Sequence, residues 1–147
     1  MGEHHGGCHC GNIRVAYRTA IAPAKAIVRA CQCSFCRKHA TRAVSDPEGS
    51  LVITVRDESL LSRYRFALHA ADFLICRQCG VYVAALMPEG DGGYATLMIN
   101  ALDDHAQYTR PPVPVEYGAE DEAGRRQRRR DKWTPAILRV RTMSGRF

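Results

Sequence analysis

The sequence has little of what membrane and secreted proteins carry. Its 147 residues contain no apolar run near the about 20 residues that a membrane-spanning helix needs, since the longest runs, 51–55 and 81–87, have the length of a strand. The residues before Cys8 include no apolar stretch that could act as a signal peptide. We therefore expect a soluble, cytoplasmic protein without a membrane partner.

The composition also lacks the biases of disordered, collagen-like and coiled-coil chains. Apolar residues make up 46% of the sequence and charged residues 24%, which is typical of an ordinary globular protein. A chain of 147 residues is long enough to bury a hydrophobic core and matches the size of one domain.

Seven cysteines stand out against this background. An odd number of cysteines without a secretion signal argues against a disulfide framework and favours metal ligands. Metal-bound cysteines are thiolates, so the net charge would fall from +6 to +3 if all seven bound two zinc ions. This lower charge weakens the case for a nucleic-acid partner.

Short segments with a period of two predict a mainly β fold. Ile13, Val15 and Tyr17 alternate with polar residues, as in a half-buried strand. The predicted strands are 13–17, 25–31, 51–55, 63–68, 72–76, 81–87 and 94–100. Proline and glycine turns separate them, and their close spacing favours a β-sheet architecture over alternating βαβ units.

The composition changes after about residue 106, which predicts a zinc-binding β domain at 1–110 and a C-terminal extension at 111–147 packed on it. The extension begins with a proline-rich connector at 111–114, which cannot be a central strand. Residues 119–133 are predicted to form a short helix, acidic at its start and basic at its end, as the helix dipole favours. Ile137, Leu138, Val140 and Met143 could form a last strand or a docked tail.

The cysteines fall into three clusters whose spacing indicates two ligand sets. Cys76 and Cys79 belong to a C-x-x-C-G turn that directs two sulfurs to one point. Cys8 and Cys10, two residues apart, would share one face of a strand and complete a Cys₄ zinc site with that pair.

Cys31, Cys33 and Cys36 form a set of three. Three protein ligands and a free fourth position are typical of catalytic zinc. Alternatives are a second structural site completed by a histidine such as His39, or free thiols. A redox pair at Cys76 and Cys79 is disfavoured because no βαβ context surrounds it.

This pattern resembles the glutathione-dependent formaldehyde-activating enzyme family, which includes the centromere protein V-like proteins. The matching motifs are Gly7-Cys8-His9-Cys10-Gly11, Cys31-x-Cys33-Ser34-x-Cys36-Arg37, Cys76-x-x-Cys79-Gly80 and Asn100-Ala101-Leu102-Asp103-Asp104, over about residues 6–104. The resemblance implies an Mss4-like fold of several coiled antiparallel β-sheets around zinc. It also implies structural zinc on Cys8, Cys10, Cys76 and Cys79, and catalytic zinc on Cys31, Cys33 and Cys36.

The resemblance further implies a carbon–sulfur lyase or synthase that forms or cleaves S-hydroxymethylglutathione from glutathione and a small aldehyde. Arg37 and Lys38 are the candidate glutathione contacts nearest in sequence to the three cysteines, and Arg29 is another cation close by. Two alternatives remain. One is a non-catalytic, zinc-stabilised protein-interaction module of Mss4-like fold. The other is nucleic-acid binding by the basic helix, which the lack of aromatic residues before Trp133 disfavours.

Overall fold

The computed structural model describes residues 1–140, which form eleven strands and two α-helices. The strands are β1 (Gly2–Gly7), β2 (Ile13–Thr19), β3 (Arg29–Cys31), β4 (Ala43–Val44), β5 (Ser50–Val55), β6 (Leu61–Tyr64), β7 (Asp72–Cys76), β8 (Tyr82–Glu89), β9 (Gly92–Met98), β10 (Val113–Val115) and β11 (Thr134–Val140). The helices are α1 (Ser34–His39) and α2 (Glu122–Lys132).

The strands are joined into one branched sheet. The main path runs β1-β2-β5-β11-β9-β4-β3-β10, and β8, β7 and β6 continue from the other edge of β9. The mainly β prediction is confirmed. The resemblance implied several antiparallel sheets, and the structure differs from this in two details. The strands form one continuous hydrogen-bonded sheet, and two strand pairs, β5 with β11 and β3 with β10, are parallel.

Alternating burial explains why the predicted strands form where they do. In β2, Ile13, Val15 and Tyr17 are buried while Arg14 and Arg18 are exposed, so one face of the strand covers the core. The buried side chains of β2, β5, β8 and β9 form the centre of that core.

Three strand predictions have wrong boundaries. Only Arg29–Cys31 of the predicted strand 25–31 is extended, because Pro23–Lys25 forms a 3₁₀ turn instead. The predicted strand 63–68 lies at Leu61–Tyr64, and the strand 94–100 lies at Gly92–Met98 with a 3₁₀ turn after it. In each case a turn occupies one end of the predicted strand.

The C-terminal part joins the same sheet. Strand β10 contains Pro114 and lies at the end of the main path, where the missing backbone N–H of proline is tolerated. The predicted helix is confirmed as α2, and β11 includes Ile137, Leu138 and Val140, whereas Met143 lies outside the described residues. The division of the chain near residue 110 stays a prediction. Within the described part of the chain, neither helix is long and apolar enough to cross a membrane.

Candidate metal centres and the adjoining cavity

Cys8, Cys10, Cys76 and Cys79 lie together, and their ligand atoms are all within 4.8 Å of one another. The Sγ atom of Cys10 lies 3.7 Å from that of Cys8 and 3.5 Å from that of Cys76. A tetrahedral zinc ion with zinc–sulfur bonds of about 2.3 Å separates its sulfurs by about 3.8 Å. The four side chains therefore fit a zinc ion.

Two tight turns place these sulfurs. Gly11 and Gly80 follow the second cysteine of each pair and have φ values of +87° and +80°, which glycine adopts without strain. Backbone N–H groups donate to the sulfurs, from Ile13 to Cys8 at 3.2 Å and from Cys79 to Cys76 at 3.4 Å. The expectation that Cys8 and Cys10 share a strand face is wrong, since both follow β1 in a turn.

The cysteines of this set have different pKa values because their sulfurs lie close together and are partly buried. Burial raises the pKa of Cys76 to about 12. Burial also acts to raise the pKa of Cys79, but backbone hydrogen bonds from Cys10 and Val81, together with the neighbouring thiols of Cys76 and Cys8, bring the value to about 6. Without a cation, the four sulfurs would therefore not all be thiolates at neutral pH, whereas zinc binds them all as thiolates.

Cys31, Cys33 and Cys36 form the second set, again with ligand atoms within 4.8 Å. Cys31 ends β3, Cys33 caps α1, and the N–H of Cys36 donates to the Sγ atom of Cys33 at 3.4 Å. A hydrogen bond with the Cys36 thiol lowers the pKa of Cys31 to about 5, and the same contact raises the pKa of Cys36. The set fits a metal that keeps a fourth position for another ligand.

His39 does not complete this set. Its ring packs against Phe35 with the ring centroids 4.4 Å apart, and among the described residues the metal-binding group contains the three cysteines alone. The alternative of a closed site with His39 as fourth ligand is therefore wrong.

A cavity of about 380 Å³ adjoins the three cysteines. This volume lies within the about 300–1,000 Å³ of small-molecule sites. All three cysteines line it, together with apolar side chains of the loop between β6 and β7, of β8 and of β9. The described structure thus brings the second ligand set to the wall of a ligand-sized space.

Of the cations that the sequence analysis named near the three cysteines, Arg29 lines the cavity, whereas Arg37 and Lys38 do not. Arg37 and Lys38 are exposed on α1 and are not among its lining residues. The lining arginines are Arg29 of β3 and Arg125, Arg128 and Arg129 of α2. Sequence reasoning missed the α2 arginines because a run of basic residues is usually a solvated face. The available signal was the pairing of Arg129 with Trp133 four residues on, which lie on the same side of a helix.

Tyr82 is the hydroxyl-bearing side chain of β8 on the cavity wall. Its ring packs edge-on against Phe35, 5.2 Å between centroids. Burial first, and then the negative charge of Cys36, Cys33 and Cys31, raises the pKa of Tyr82 well above its usual range. Its hydroxyl therefore stays protonated and can donate a hydrogen bond at neutral pH.

Comparisons with known proteins agree with this architecture. The sequence profile of the family described as "Glutathione-dependent formaldehyde-activating enzyme" matches residues 3–117. A crystal structure of a Rhodobacter sphaeroides protein superposes with a TM-score of 0.50 at 22% identity, covering 77% of this chain and 99% of that one, which shows a shared fold. The resemblance carried by the cysteine motifs is confirmed, and this chain belongs to the glutathione-dependent formaldehyde-activating enzyme family.

Proposed function

We propose that this protein is a zinc-dependent carbon–sulfur lyase or synthase that forms and cleaves S-hydroxymethylglutathione. The observation that carries the proposal is the position of Cys31, Cys33 and Cys36 on the wall of a ligand-sized cavity, in a chain of this family. We place the protein in the cytoplasm, because thiols that serve as metal ligands suit a compartment that keeps cysteines reduced.

Two zinc ions per chain are proposed, with different tasks. Cys8, Cys10, Cys76 and Cys79 would hold a structural ion, and Cys31, Cys33 and Cys36 a catalytic one. Zinc in the second set would supply the positive charge that deprotonates an added thiol, whose pKa is otherwise about 8.5.

The carbon–sulfur bond forms between the two substrates, and side chains of the protein orient them. The thiolate sulfur of glutathione attacks the carbonyl carbon of formaldehyde, so a carbon–sulfur bond forms and the carbon–oxygen double bond becomes a single bond. The oxygen then takes a proton from solvent, which replaces the one that the thiol released on binding. Tyr82, protonated and on the cavity wall, donates a hydrogen bond to that oxygen. In the reverse direction the hydroxyl proton leaves and the carbon–sulfur bond breaks. Arg37 and Lys38, both exposed on α1, are assigned to the part of glutathione that lies outside the cavity.

Proton release on glutathione binding tests this function. A thiol that becomes a thiolate loses one proton, so glutathione binding to the zinc-loaded protein should release about one proton per chain near neutral pH. Calorimetry in two buffers of different ionisation enthalpy measures this number. S-methylglutathione keeps the peptide but has no ionisable thiol, so it should bind more weakly and release none.

Cys33→Ser is the control for this measurement, because it removes one ligand of the second set and should abolish the proton release. If glutathione and S-methylglutathione bind alike to the wild type, no thiolate is being selected. The catalytic assignment would then fall, and the alternative of a zinc-stabilised interaction module would replace it.

A further inference from the structure

Arg129 is a buried cation on the cavity wall without a counterion. Only 7% of its surface is exposed, and its Nε and Nη1 atoms have no hydrogen-bond partner among residues 1–140. Burial, reinforced by Arg128 and Arg125, lowers the pKa of Arg129 to about 10, so it is still charged at neutral pH. A buried charge that lacks a partner is costly, and a ligand bound on the cavity side would offset that cost.

Each of the other arginines of the cavity wall already donates hydrogen bonds within the protein. Arg128 donates to both carboxylate oxygens of Glu120, at 2.8 and 3.0 Å. Arg125 donates to the backbone carbonyl of Tyr117 at 3.1 Å, and its Nε atom, which makes no hydrogen bond among the described residues, forms an ion pair with Glu120 at 3.6 Å. Arg29 donates to Ser45 at 2.6 Å and to Thr96 at 2.8 Å. Glu120 therefore serves two arginines of α2, and neither it nor another described carboxylate forms an ion pair with Arg129.

Trp133 adds a second unpartnered donor at the same position. It is 4% exposed, it lines the cavity, and its Nε1 atom has no hydrogen-bond partner among the described residues. The Arg129 guanidinium lies 4.5 Å from the centroid of the Trp133 ring, so the ring holds the guanidinium in place. An anionic group would satisfy both donors, and the carboxylate on the same cavity wall, Glu116, accepts from the N–H of Gly118 at 2.7 Å.

We propose that Arg129 and Trp133 form a carboxylate-binding subsite in this cavity, filled by a carboxylate of the thiol substrate. The identity of that substrate as glutathione rests on the proposed function, but the anion site itself does not. A guanidinium presents paired N–H donors that match the two oxygens of a carboxylate. Arg129 belongs to α2 and Trp133 is its C-cap, so the subsite lies outside the residues 3–117 that the family profile matches. The C-terminal extension would therefore contribute to the substrate specificity of the cavity.

Trp133 is the single tryptophan of the chain, so its fluorescence reports on this subsite without any activity measurement. The zinc-loaded protein is titrated with glutathione and with glutathione diethyl ester, which keeps the thiol and lacks both carboxylates. The wild type should bind glutathione about 10- to 100-fold more tightly than the diester, as expected for hydrogen bonds to a charged group. Glutathione should also change the Trp133 emission more than the diester does.

Arg129→Met should remove this preference, so that the acid and the diester bind with similar affinity. Its melting temperature should equal or exceed that of the wild type, because an uncompensated buried charge has been removed. Arg129→Lys keeps the charge without the paired donors and should lose part of the preference. Arg126→Met is the matched control: this arginine lies on the same helix, pairs with Glu122 and is not a cavity residue, so the wild-type preference should remain.

The possible outcomes separate this inference from the proposed function. If the wild type binds acid and diester alike, or if Arg129→Met keeps the preference, the subsite is overturned while proton release by the thiol can still be observed. If succinate changes the Trp133 emission in the wild type but not in Arg129→Met, and glutathione releases no proton, the subsite stands and the thiol chemistry falls.

Discussion

Cysteine residues of identical chemistry have different structural roles because of where the chain places them. Cys10 and Cys76 are 66 positions apart in sequence, yet their sulfurs are 3.5 Å apart, so the four-cysteine set joins distant segments. Cys31, Cys33 and Cys36 lie within one short segment that β3 and α1 already hold. We therefore expect a metal in the first set to stabilise the fold more than a metal in the second.

Cys79→Ser should accordingly produce insoluble or poorly folded protein, because structural zinc contributes several kcal/mol to folding. Cys33→Ser should remain folded and lose one zinc ion per chain at most. Zinc content and thermal unfolding followed by circular dichroism measure both effects. Equal solubility and equal melting temperature for the two variants would contradict the division into a structural and an open site.

Strand β1 shows how an element can form from residues with little strand propensity. Its sequence is rich in glycine and histidine, and sequence analysis did not predict it. It pairs with β2 along its whole length, and Gly6 also bridges to Leu102. A Cβ atom at Gly6 would lie 2.1 Å from the carbonyl oxygen of Ala101, so only glycine allows this approach.

Gly6→Ala should therefore destabilise the protein by about 1–3 kcal/mol, the usual effect of overpacking a tight contact. Because β1 leads directly into Cys8, we also expect weaker retention of zinc by the four-cysteine set. Denaturant unfolding and a competition assay with a metal chelator measure the two effects. Gly2→Ala is the control, since the nearest atom to its Cβ is 3.3 Å away and belongs to the His4 side chain instead of the backbone. A Gly6→Ala variant as stable as Gly2→Ala would contradict the close contact.

Helix α2 is an element whose two faces serve different purposes. Asp121 caps it by accepting from the N–H of Gly124 at 2.7 Å, which offsets part of the cost of an interior glycine. On one side Arg126 and Arg130 pair with Glu122 and Glu89. On the other side Arg129 is buried against the cavity. These ion pairs engage part of the positive charge of the helix, and the absence of a nucleic-acid partner stays a prediction.

At the scale of the whole molecule, the last described strand completes the centre of the sheet. Strand β11 pairs in parallel with β5 over five residues and antiparallel with β9 over three, so it joins the two halves of the main path. A chain shortened to residues 1–117 ends where the family match ends and lacks this strand. The edges of β5 and β9 would then be left unpaired.

We expect the 1–117 chain to aggregate or to lack cooperative thermal unfolding even with excess zinc. The full chain under the same conditions should unfold in one transition, and Ile137→Ala is a mild control within β11 because Ile137 is 47% exposed. Circular dichroism and size-exclusion chromatography are the measurements. Cooperative unfolding of the 1–117 chain near the wild-type melting temperature would show that β11 is dispensable.

The sequence by itself determined the mainly β class, a helix predicted at 119–133 and found at 122–132, and the membership of the cysteines in two sets. These features are local: alternating burial, a charge gradient and short cysteine spacings are visible within windows of a few residues. The family resemblance rests on the same short motifs, which is why it could be stated before the fold was known.

Only the tertiary structure decided the strand order, the two parallel pairings and the composition of the cavity wall. Pairing of β11 with β5 joins segments about 85 positions apart, and no local pattern encodes such a partner. In the sequence, Arg129 and Trp133 likewise look like part of a solvated basic helix. Tertiary packing places them on the wall of the cavity that Cys31, Cys33 and Cys36 also line. Burial turns ordinary surface residue types into an unpaired cation and donor, because desolvation depends on the whole fold and not on the neighbouring sequence.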